Sequence, residues 1–303
     1  ATTALAITVA LLLANVIDPG KGLDMSSIET AQVAIGEKMS LADTLLNIIP
    51  TNPIGALANG EMLPVILFAL MVGIILAKLG ENAETVGNFF SQFNDVMMEM
   101  TSVIMKLAPY GVFCLIAKTF SGIGFDAFIP LLKYMAGVLL ALAVQCTVVY
   151  MAMLKGFTGL SPWMFLKKFL PVMGFAFSTA TSNATIPMSV DTLHEKMGVS
   201  KRISSFTIPL GATINMDGTA IMQGVAVVFA AQAFGIGLDM SDYLTVILTA
   251  TLASVGTAGV PGVGLITLPM VFNSVGLPVE AIALIMGIDR ILDMCRTAVN
   301  ITG

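Results

Sequence analysis

Charged residues are scarce in this sequence. They make up 11% of its 303 residues, whereas 56% are hydrophobic, and the mean hydropathy is +0.92. Soluble domains carry about 25% charged residues. This deficit excludes an ordinary soluble domain and favours a chain that lies in a bilayer, where long apolar runs form spanning helices. We expect a multi-pass protein of the cell inner membrane.

Three further shortages argue against other classes of function. The only histidine is His194, so neither a histidine-based metal site nor a Ser-His-Asp triad is expected. The three cysteines lie inside apolar runs and suggest no disulfide framework and no CxxC motif. A net charge of −5 gives no signal for nucleic-acid binding. We expect neither an enzyme nor a nucleic-acid-binding protein.

Apolar runs mark the membrane elements of the first half. The sequence opens with ATTALAITVALLLANVI, which lacks a Met and a signal-peptide pattern, so we expect it to start inside or just before a membrane helix at 1–18. The runs 95–117 and 128–154 predict two more spanning helices. The stretch 41–80 is also apolar, but its prolines and glycines predict a kinked or segmented element.

Two segments of the second half have apolar arms and a polar or glycine-rich centre. The first, at about 169–193, is small and polar from Ser178 to Thr185. The second, at about 243–276, contains ASVGTAGVPGVG, with four glycines and a proline. Non-helical backbone at membrane depth is stable only where protein or a water-filled cavity satisfies it. We expect two re-entrant hairpins; the alternative is a pair of ordinary helices with glycine kinks.

The flanking charges orient these two segments oppositely. Six basic residues surround the first, and no Lys or Arg occurs from Ile203 to Asp289. The positive-inside rule then places the base of the first hairpin in the cytoplasm and that of the second outside. With a helix at 204–234 and a final helix at 279–303, the two units form an inverted repeat. Matched, interrupted membrane segments of this kind indicate the binding site of a transporter.

Each hairpin is followed by a polar cluster in an apolar helix. The first cluster has Asn215, Asp217 and Thr219 around Gly218, which should unwind the helix locally and free backbone carbonyls. The second lies on the final helix, where helical spacing puts its side chains along one stripe: Asp289, Asp293, Arg296, Thr297 and Asn300. A charge at membrane depth costs about 2.5–3.5 kcal/mol, so these groups must face a cavity and pair with one another or with a ligand.

The chemistry of these groups suits a charged amino acid and a cation. Carboxylate, amide and freed carbonyl oxygens form a site for a hard cation such as sodium. Arg296 offers a planar fork to a carboxylate, and Asp293, one turn away, suits an ammonium. Together they describe a zwitterion with a second acid group. The alternative is an internal salt bridge of Arg296 with Asp293 or Asp289 that only fixes packing.

At these residues the chain resembles the glutamate/aspartate transporter family, the dicarboxylate/amino acid:cation symporters. NMDGTA (215–220), ASVGTAGVPG (253–262) and DRILDMCRTAVNITG (289–303) are similar to its seventh helix, second hairpin tip and eighth helix. The resemblance covers essentially the whole chain, without the family's first two helices. It implies an inverted-repeat elevator transporter that is all-α and homotrimeric. The mobile transport domain would be 1–18 and 125–303, and the static scaffold 19–124.

The resemblance also implies roles for individual residues. Arg296 would hold the substrate's side-chain carboxylate and Asp293 its amino group, and Met216 would lie between substrate and cations. Further substrate contacts are expected from Ser182, Thr219, Val260, Gly264, Thr297 and Asn300. Sodium ligands are expected among Thr2, Thr3, Gly211, Thr213, Asn215, Asp217, Ser254, Val255, Thr257, Asp289 and Asn300, with Met216 beside them.

Several positions depart from the family pattern. Asn183 stands where the family commonly has serine, and Arg290 could replace an arginine that some archaeal relatives carry at the position of Ala180. The family carboxylate that follows Gly303 is not in this sequence. The leading interpretation is sodium-coupled uptake of acidic amino acids. The alternatives are the same fold carrying neutral amino acids, cystine or C4-dicarboxylates, or coupling to protons. Because polarity is confined to the two clusters and the two tips, an ion channel is disfavoured.

Overall fold

The structure is a computed structural model. It describes residues 2–23, 46, 49–59, 62–107, 110, 111, 113, 114, 117, 121, 128–255, 259 and 261–303. Every regular element in these residues is helical, so the all-α prediction is confirmed. The α-helices are Thr2–Ile17, Pro53–Asn59, Met62–Leu79, Glu84–Met105, Phe128–Val144, Tyr150–Thr158, Pro162–Thr179, Ser182–Asp191, Lys201–Ile214, Asp217–Ala233, Met240–Val255, Val263–Ser274, Ala281–Met286 and Asp289–Asn300.

Short turns of other helix types adjoin some of these helices. A 3-10 turn lies at Gly80–Ala83, and π turns lie at Gln145–Val149 and Thr192–Lys196. A π turn inside an α-helix often marks a functional position, because it rotates the side chains that follow it. The π turn at Gln145–Val149 separates two helices of the apolar run 128–158, and Gln145 and Tyr150 at its two ends are buried.

The chain forms two compact units. One comprises Ala1–Lys38 with Phe120–Gly303, and the other Met39–Thr119. In the second unit, Met62–Leu79 is apolar except for Lys78 in its last turn, and large side chains such as Ile74 and Ile75 are exposed on it. The predicted segmentation of 41–80 is seen as two helices, Pro53–Asn59 and Met62–Leu79. The predicted helix at 95–117 overlaps Glu84–Met105, and part of its remainder lies outside the described residues.

Asp217–Ala233, here called the core helix, is the centre of the first unit. All but one of its residues are buried. It packs against the first helix, Thr2–Ile17, and against Phe128–Val144, Met240–Val255, Val263–Ser274 and the final helix, Asp289–Asn300. Small residues allow the first helix to approach closely: Gly224 faces Ile7 and Ala10. A helix that is apolar and buried on all sides fits the interior of a membrane domain.

Both interrupted segments form pairs of packed helices. Pro162–Thr179 and Ser182–Asp191, the first helix pair, are joined by Ala180 and Thr181. Ala180 has a left-handed backbone with φ of 52°, and Thr181 is extended, so the chain turns within two residues. Met240–Val255 and Val263–Ser274 form the second helix pair, and the latter helix starts after Gly262, whose φ is 74°. Both segments therefore break at their polar or glycine-rich centres.

Three helical stretches are long and apolar enough to cross a membrane. They are 64–97, 128–158 and 201–233, found among the described residues. The last is broken inside the predicted polar cluster, at Asn215 and Met216 between Lys201–Ile214 and the core helix, whereas Gly218, around which the unwinding was expected, is helical. The expectation of a multi-pass membrane protein is thus met by length and composition.

Candidate functional site

Asp217, at the start of the core helix, is fully buried and accepts three neutral hydrogen bonds. Thr3 Oγ1 donates at 2.7 Å to one carboxylate oxygen, while Gln145 Nε2 and Tyr150 Oη donate at 3.0 Å to the other. Within the described part of the chain, no cationic side chain pairs with Asp217. A buried carboxylate with only neutral donors favours a positive ligand, because an isolated buried charge is strongly destabilising.

Two asparagines connect the break in the helix to the final helix. Asn300 Oδ1 accepts from the backbone N–H of Gly218 at 2.7 Å, and Asn300 Nδ2 lies 3.2 Å from Met216 Sδ and 3.5 Å from Thr219 Oγ1. Asn215 Nδ2 donates in turn to the carbonyl of Asn300 at 3.0 Å, and Thr2 Oγ1 lies 3.5 Å from Asn215 Oδ1. The break at 215–216 leaves the N–H of Gly218 without a helical partner, and Asn300 supplies one; Asn215 in turn supplies a donor to the carbonyl at the end of the final helix.

Arg296 on the final helix is fully buried between two carboxylates. Its Nη1 and Nη2 donate to the two oxygens of Asp289 at 2.7 and 3.2 Å, and Nη2 also donates to Asp293 Oδ1 at 2.8 Å. This is the internal salt bridge that the sequence left open as an alternative. One donor is nevertheless unused: Arg296 Nε is buried and has no hydrogen-bond partner in the described residues.

The second helix pair touches these charges through its backbone. Gly262 N–H donates to the other oxygen of Asp293, Oδ2, at 2.9 Å. A Cβ added at Gly264 would lie 3.3 Å from Thr219 Cγ2 and 3.4 Å from Arg296 Nη1. The same Cβ would lie only 2.6 Å from Met222 Cε, so a side chain at Gly264 would displace Met222 while remaining in ordinary contact with the guanidinium.

The two helix pairs meet at their turns. Thr181 Oγ1 donates to the carbonyl of Gly259 at 2.6 Å, and the N–H of Asn183 lies 3.5 Å from the same oxygen. A Cβ added at Gly259 would lie 3.0 Å from Ser182 Cβ, so Ser182 is at this junction. The two predicted tips are thus brought together beside the polar clusters, with Ser182 buried.

The structure brings some expected site residues together and leaves others apart. Thr297 is buried and donates to the carbonyl of Asp293. Thr213 is exposed and bonds to the carbonyl of Leu210 in its own helix, and the Gly211 carbonyl accepts from the N–H of Asn215. Ser254 is buried and donates to the carbonyl of Thr251. Val255 ends its helix, and Thr257 and Val260 lie outside the described residues.

Sequence analysis missed two partners of Asp217. Gln145 and Tyr150 come from the apolar run 128–158, which was interpreted only as a spanning helix. A signal was present, because a glutamine inside an apolar membrane helix is costly unless it faces a polar site. Gln145 is fully buried, and its Oε1 has no hydrogen-bond partner in the described part of the chain.

The groups around Asp217 differ from those of a metal site made of several acidic and histidine side chains. Among the described residues, no group of three or more His, Cys, Asp or Glu side chains could hold a metal ion. The nearby oxygens belong to one carboxylate, amides and hydroxyls. Such a set suits a weakly bound hard cation better than a soft or tightly held metal.

Known proteins resemble this chain along its whole length. A proton/sodium-glutamate symport protein of Bacillus caldotenax is 39% identical over 313 residues, which cover 99% of this chain and 73% of the relative. A proton/glutamate-aspartate symporter of Escherichia coli (strain K12) is 36% identical over 311 residues, covering 99% and 71%. A C4-dicarboxylate transport protein 2 of Pseudomonas aeruginosa (strain UCBPP-PA14) is 34% identical over 308 residues, covering 98% and 70%.

The comparison with family models points to a membrane transporter, as the buried polar site and the long apolar helices do. The model of the sodium:dicarboxylate symporter family matches residues 1–303, the whole chain. The chain therefore belongs to the sodium:dicarboxylate symporter family and is a multi-pass membrane transporter rather than an enzyme.

Proposed function

We propose that this chain is a secondary active symporter that takes up glutamate and aspartate together with sodium. The names of the Bacillus caldotenax and Escherichia coli relatives support an acidic amino acid as substrate, and the former names both protons and sodium. The observation that carries the proposal is Arg296, a fully buried guanidinium whose Nε–H has no hydrogen-bond partner in the described residues. Most buried donors in proteins have a hydrogen-bond partner, so this free N–H suits an acceptor atom from a bound molecule.

Recognition of the substrate would divide between Arg296 and Asp293. The side-chain carboxylate of the amino acid would accept from Arg296, whose fork matches a carboxylate. Its ammonium would meet Asp293, whose Oδ2 already accepts from the N–H of Gly262. Thr219, Ser182, Thr297, Asn300 and Val260 remain proposed as further contacts. Since Asp293 bonds the second helix pair, binding at Asp293 would also fix that pair over the substrate.

Sodium would bind near Asp217. Its binding there would not require the ion pairs of Arg296 with Asp289 and Asp293 to open. Asp217 accepts from neutral donors, among them the hydroxyl of Thr3 and the amide of Gln145, and the amide of Asn215 donates to its partner Tyr150. Both oxygens of Asp289 are engaged by Arg296, so its proposed role as a cation ligand requires that pair to open. The other proposed ligands are Thr2, Gly211, Thr213, Ser254, Val255, Thr257 and Asn300, with Met216 alongside.

Transport would follow an elevator mechanism in a homotrimer. The two helix pairs would be re-entrant hairpins whose tips lie at the substrate site, as their junction at Gly259 and Thr181 supports. Residues 1–18 and 125–303 would move as the transport domain, and 19–124 would form the trimeric scaffold. The contacts that join both helix pairs, the core helix and the final helix are consistent with one moving body.

The test is substrate selectivity in reconstituted vesicles. Arg296→Cys should weaken aspartate binding by about 100-fold or more, because it removes the charged partner of a buried carboxylate. The same variant should bind neutral amino acids at least as well as the unmodified protein does. Arg290→Cys is the matched control: it removes the same charge from the same helix, at an exposed position. The proposal fails if Arg296→Cys keeps the affinity for aspartate, or if both variants lose it equally.

A further inference from the structure

A basic groove lies on the first unit, away from the polar clusters. Its volume is about 760 Å³, and it is lined by Trp163, Met164, Lys167, Lys168, Pro171 and Lys196. The first helix of the first pair supplies five of these residues, and the π turn Thr192–Lys196 that follows the second helix supplies the sixth. The groove is therefore at the base of the first helix pair, opposite the turn that meets Gly259.

The three lysines of the groove form no ion pair within the part of the chain that the structure describes. Among the described residues, no carboxylate lies within 4.0 Å of the ammonium of Lys167, Lys168 or Lys196. Lys168 is half-buried, and its Nζ donates to the backbone carbonyl of Lys196 at 2.5 Å. That bond fixes one ammonium between the helix and the turn, where it keeps donors for another acceptor. Three unneutralised cations around one hollow favour an anionic ligand.

Exposed apolar side chains at the same place indicate a lipid as the source of that anion. Trp163 is 75% exposed and Met164 58% exposed, and nearby Phe157 and Leu160 are also exposed. Tryptophan is enriched at the level of lipid headgroups, where its ring is apolar and its N–H is polar. Basic pockets between membrane helices on the cytoplasmic side bind anionic headgroups. The positive-inside rule predicts the same side for this cluster of lysines.

We propose that this groove binds the headgroup of an anionic phospholipid, with the phosphate among Lys167, Lys168 and Lys196 and the chains beside Trp163. The volume is that of a site for a small ligand. The groove lies at the base of the first helix pair, whereas the proposed substrate contact Ser182 lies at its turn, so the proposal does not depend on which solute is carried. An anionic lipid there would act on the base of one hairpin, a part of the moving body proposed above.

The chain provides its own probe, because Trp163 is its only tryptophan. The full protein is reconstituted in phosphatidylcholine vesicles that contain either brominated phosphatidylglycerol or brominated phosphatidylcholine at the same mole fraction. Bromine quenches nearby tryptophan fluorescence. An apparent binding constant several-fold higher for phosphatidylglycerol is expected, since each lysine near an anionic surface contributes up to about fivefold. Trp163→Phe gives the background signal.

Matched variants separate the groove from surface charge in general. Lys167→Gln, Lys168→Gln and Lys196→Gln together should abolish the preference for phosphatidylglycerol. The control is a second triple variant, Lys155→Gln, Lys201→Gln and Arg202→Gln, which removes three charges from exposed positions near the first helix pair. This variant should keep the preference for phosphatidylglycerol.

Three results would overturn the proposal. The first is equal quenching of the unmodified protein by the two brominated lipids, which needs no variant. The second is equal loss of the preference for phosphatidylglycerol in both triple variants. That result would mean that the preference arises from the positive charge of the whole surface and not from the groove. The third is a change in Trp163 emission when inorganic phosphate is added to vesicles of phosphatidylcholine alone, which would indicate a site for soluble anions.

Discussion

Arg296 is the residue on which the proposed recognition depends, and its surroundings would limit how a substrate can bind. Two carboxylates neutralise it, with Asp289 meeting both terminal nitrogens and Asp293 only one. Of the two, Asp293 is also bonded to the backbone of Gly262. Asp289 is therefore the partner that holds the guanidinium in place, and Asp293 is the one suited to exchange its bond for a substrate ammonium.

Asp293→Asn should weaken every amino acid substrate, because each carries the ammonium that Asp293 is proposed to meet. The expected loss is about 30-fold or more for aspartate, the effect of removing one partner of a buried charge pair. The loss of affinity for each amino acid is measured in vesicles, from the concentration at which that amino acid inhibits aspartate uptake. Succinate, which has two carboxylates and no ammonium, serves as the control and should lose little.

An equal loss for succinate and aspartate would remove Asp293 from ammonium recognition. It would mean that the substitution acts by disturbing Arg296, which Asp293 also contacts.

At the scale of elements, the close contact between the core helix and the final helix positions both polar clusters. A Cβ added at Gly218 would lie 2.8 Å from the carbonyl oxygen of Arg296 and 2.9 Å from Asn300 Oδ1. Backbone atoms cannot move aside as the end of a flexible side chain can. Gly218 therefore sets the distance between the two helices.

Gly218→Ala should push these helices apart and lower both stability and substrate affinity. Overpacking of this kind costs about 1–3 kcal/mol, which corresponds to a fall of several degrees in Tm. Gly224→Ala is the control on the same helix, since its Cβ would lie 3.5 Å from Ala10 and Ile7 in ordinary contact. Thermal unfolding and aspartate binding measure both variants. A Tm that falls equally in both would refute the specific role of the contact at Gly218.

The proposal that the two helix pairs are re-entrant hairpins leads to a second prediction at this scale. With Cys114, Cys146 and Cys295 replaced, Ser182→Cys should react with thiol reagents from the cytoplasmic side and Val263→Cys from the outside. Val263 is chosen over Gly259 because a side chain at Gly259 would meet Asn183 Oδ1 at 2.8 Å. Membrane-impermeant reagents applied to right-side-out and inside-out vesicles measure the rates. Labelling of both tips from one side only would contradict the inverted repeat.

Local pattern was enough to predict much of the molecule. Helical spacing alone put Asp289, Asp293 and Arg296 on one face, and the glycine-rich and polar centres marked where both helix pairs turn. The partners of Asp217 could not be predicted in this way. Gln145 and Tyr150 lie 72 and 67 residues from it in sequence, and their contact depends on how separate helices pack. The choice of Asp289 as the bidentate partner of Arg296 likewise depends on side-chain geometry.

At the scale of the whole molecule, the account requires that cation and substrate stabilise each other's binding. Asp217 lies at the start of the core helix. The residues on either side of it, Met216 and Gly218, form hydrogen bonds with Asn300. Asn300 is on the final helix, which also carries Arg296. A sodium ion at Asp217 would order this junction and so prepare the substrate site. By linkage, substrate and sodium must then raise each other's affinity by the same factor.

The most direct test is the dissociation constant of aspartate, measured by calorimetry on the purified protein at one fixed pH, in sodium and in choline. Asp217→Asn provides the matched site variant, and Asp191→Asn, at an exposed position of the first helix pair, provides the control. The account predicts an affinity at least about 10-fold higher in sodium, a coupling of about 1.4 kcal/mol. That gain should be lost in Asp217→Asn and kept in Asp191→Asn. An affinity that is the same in sodium and choline, with uptake driven by a pH gradient alone, would contradict it.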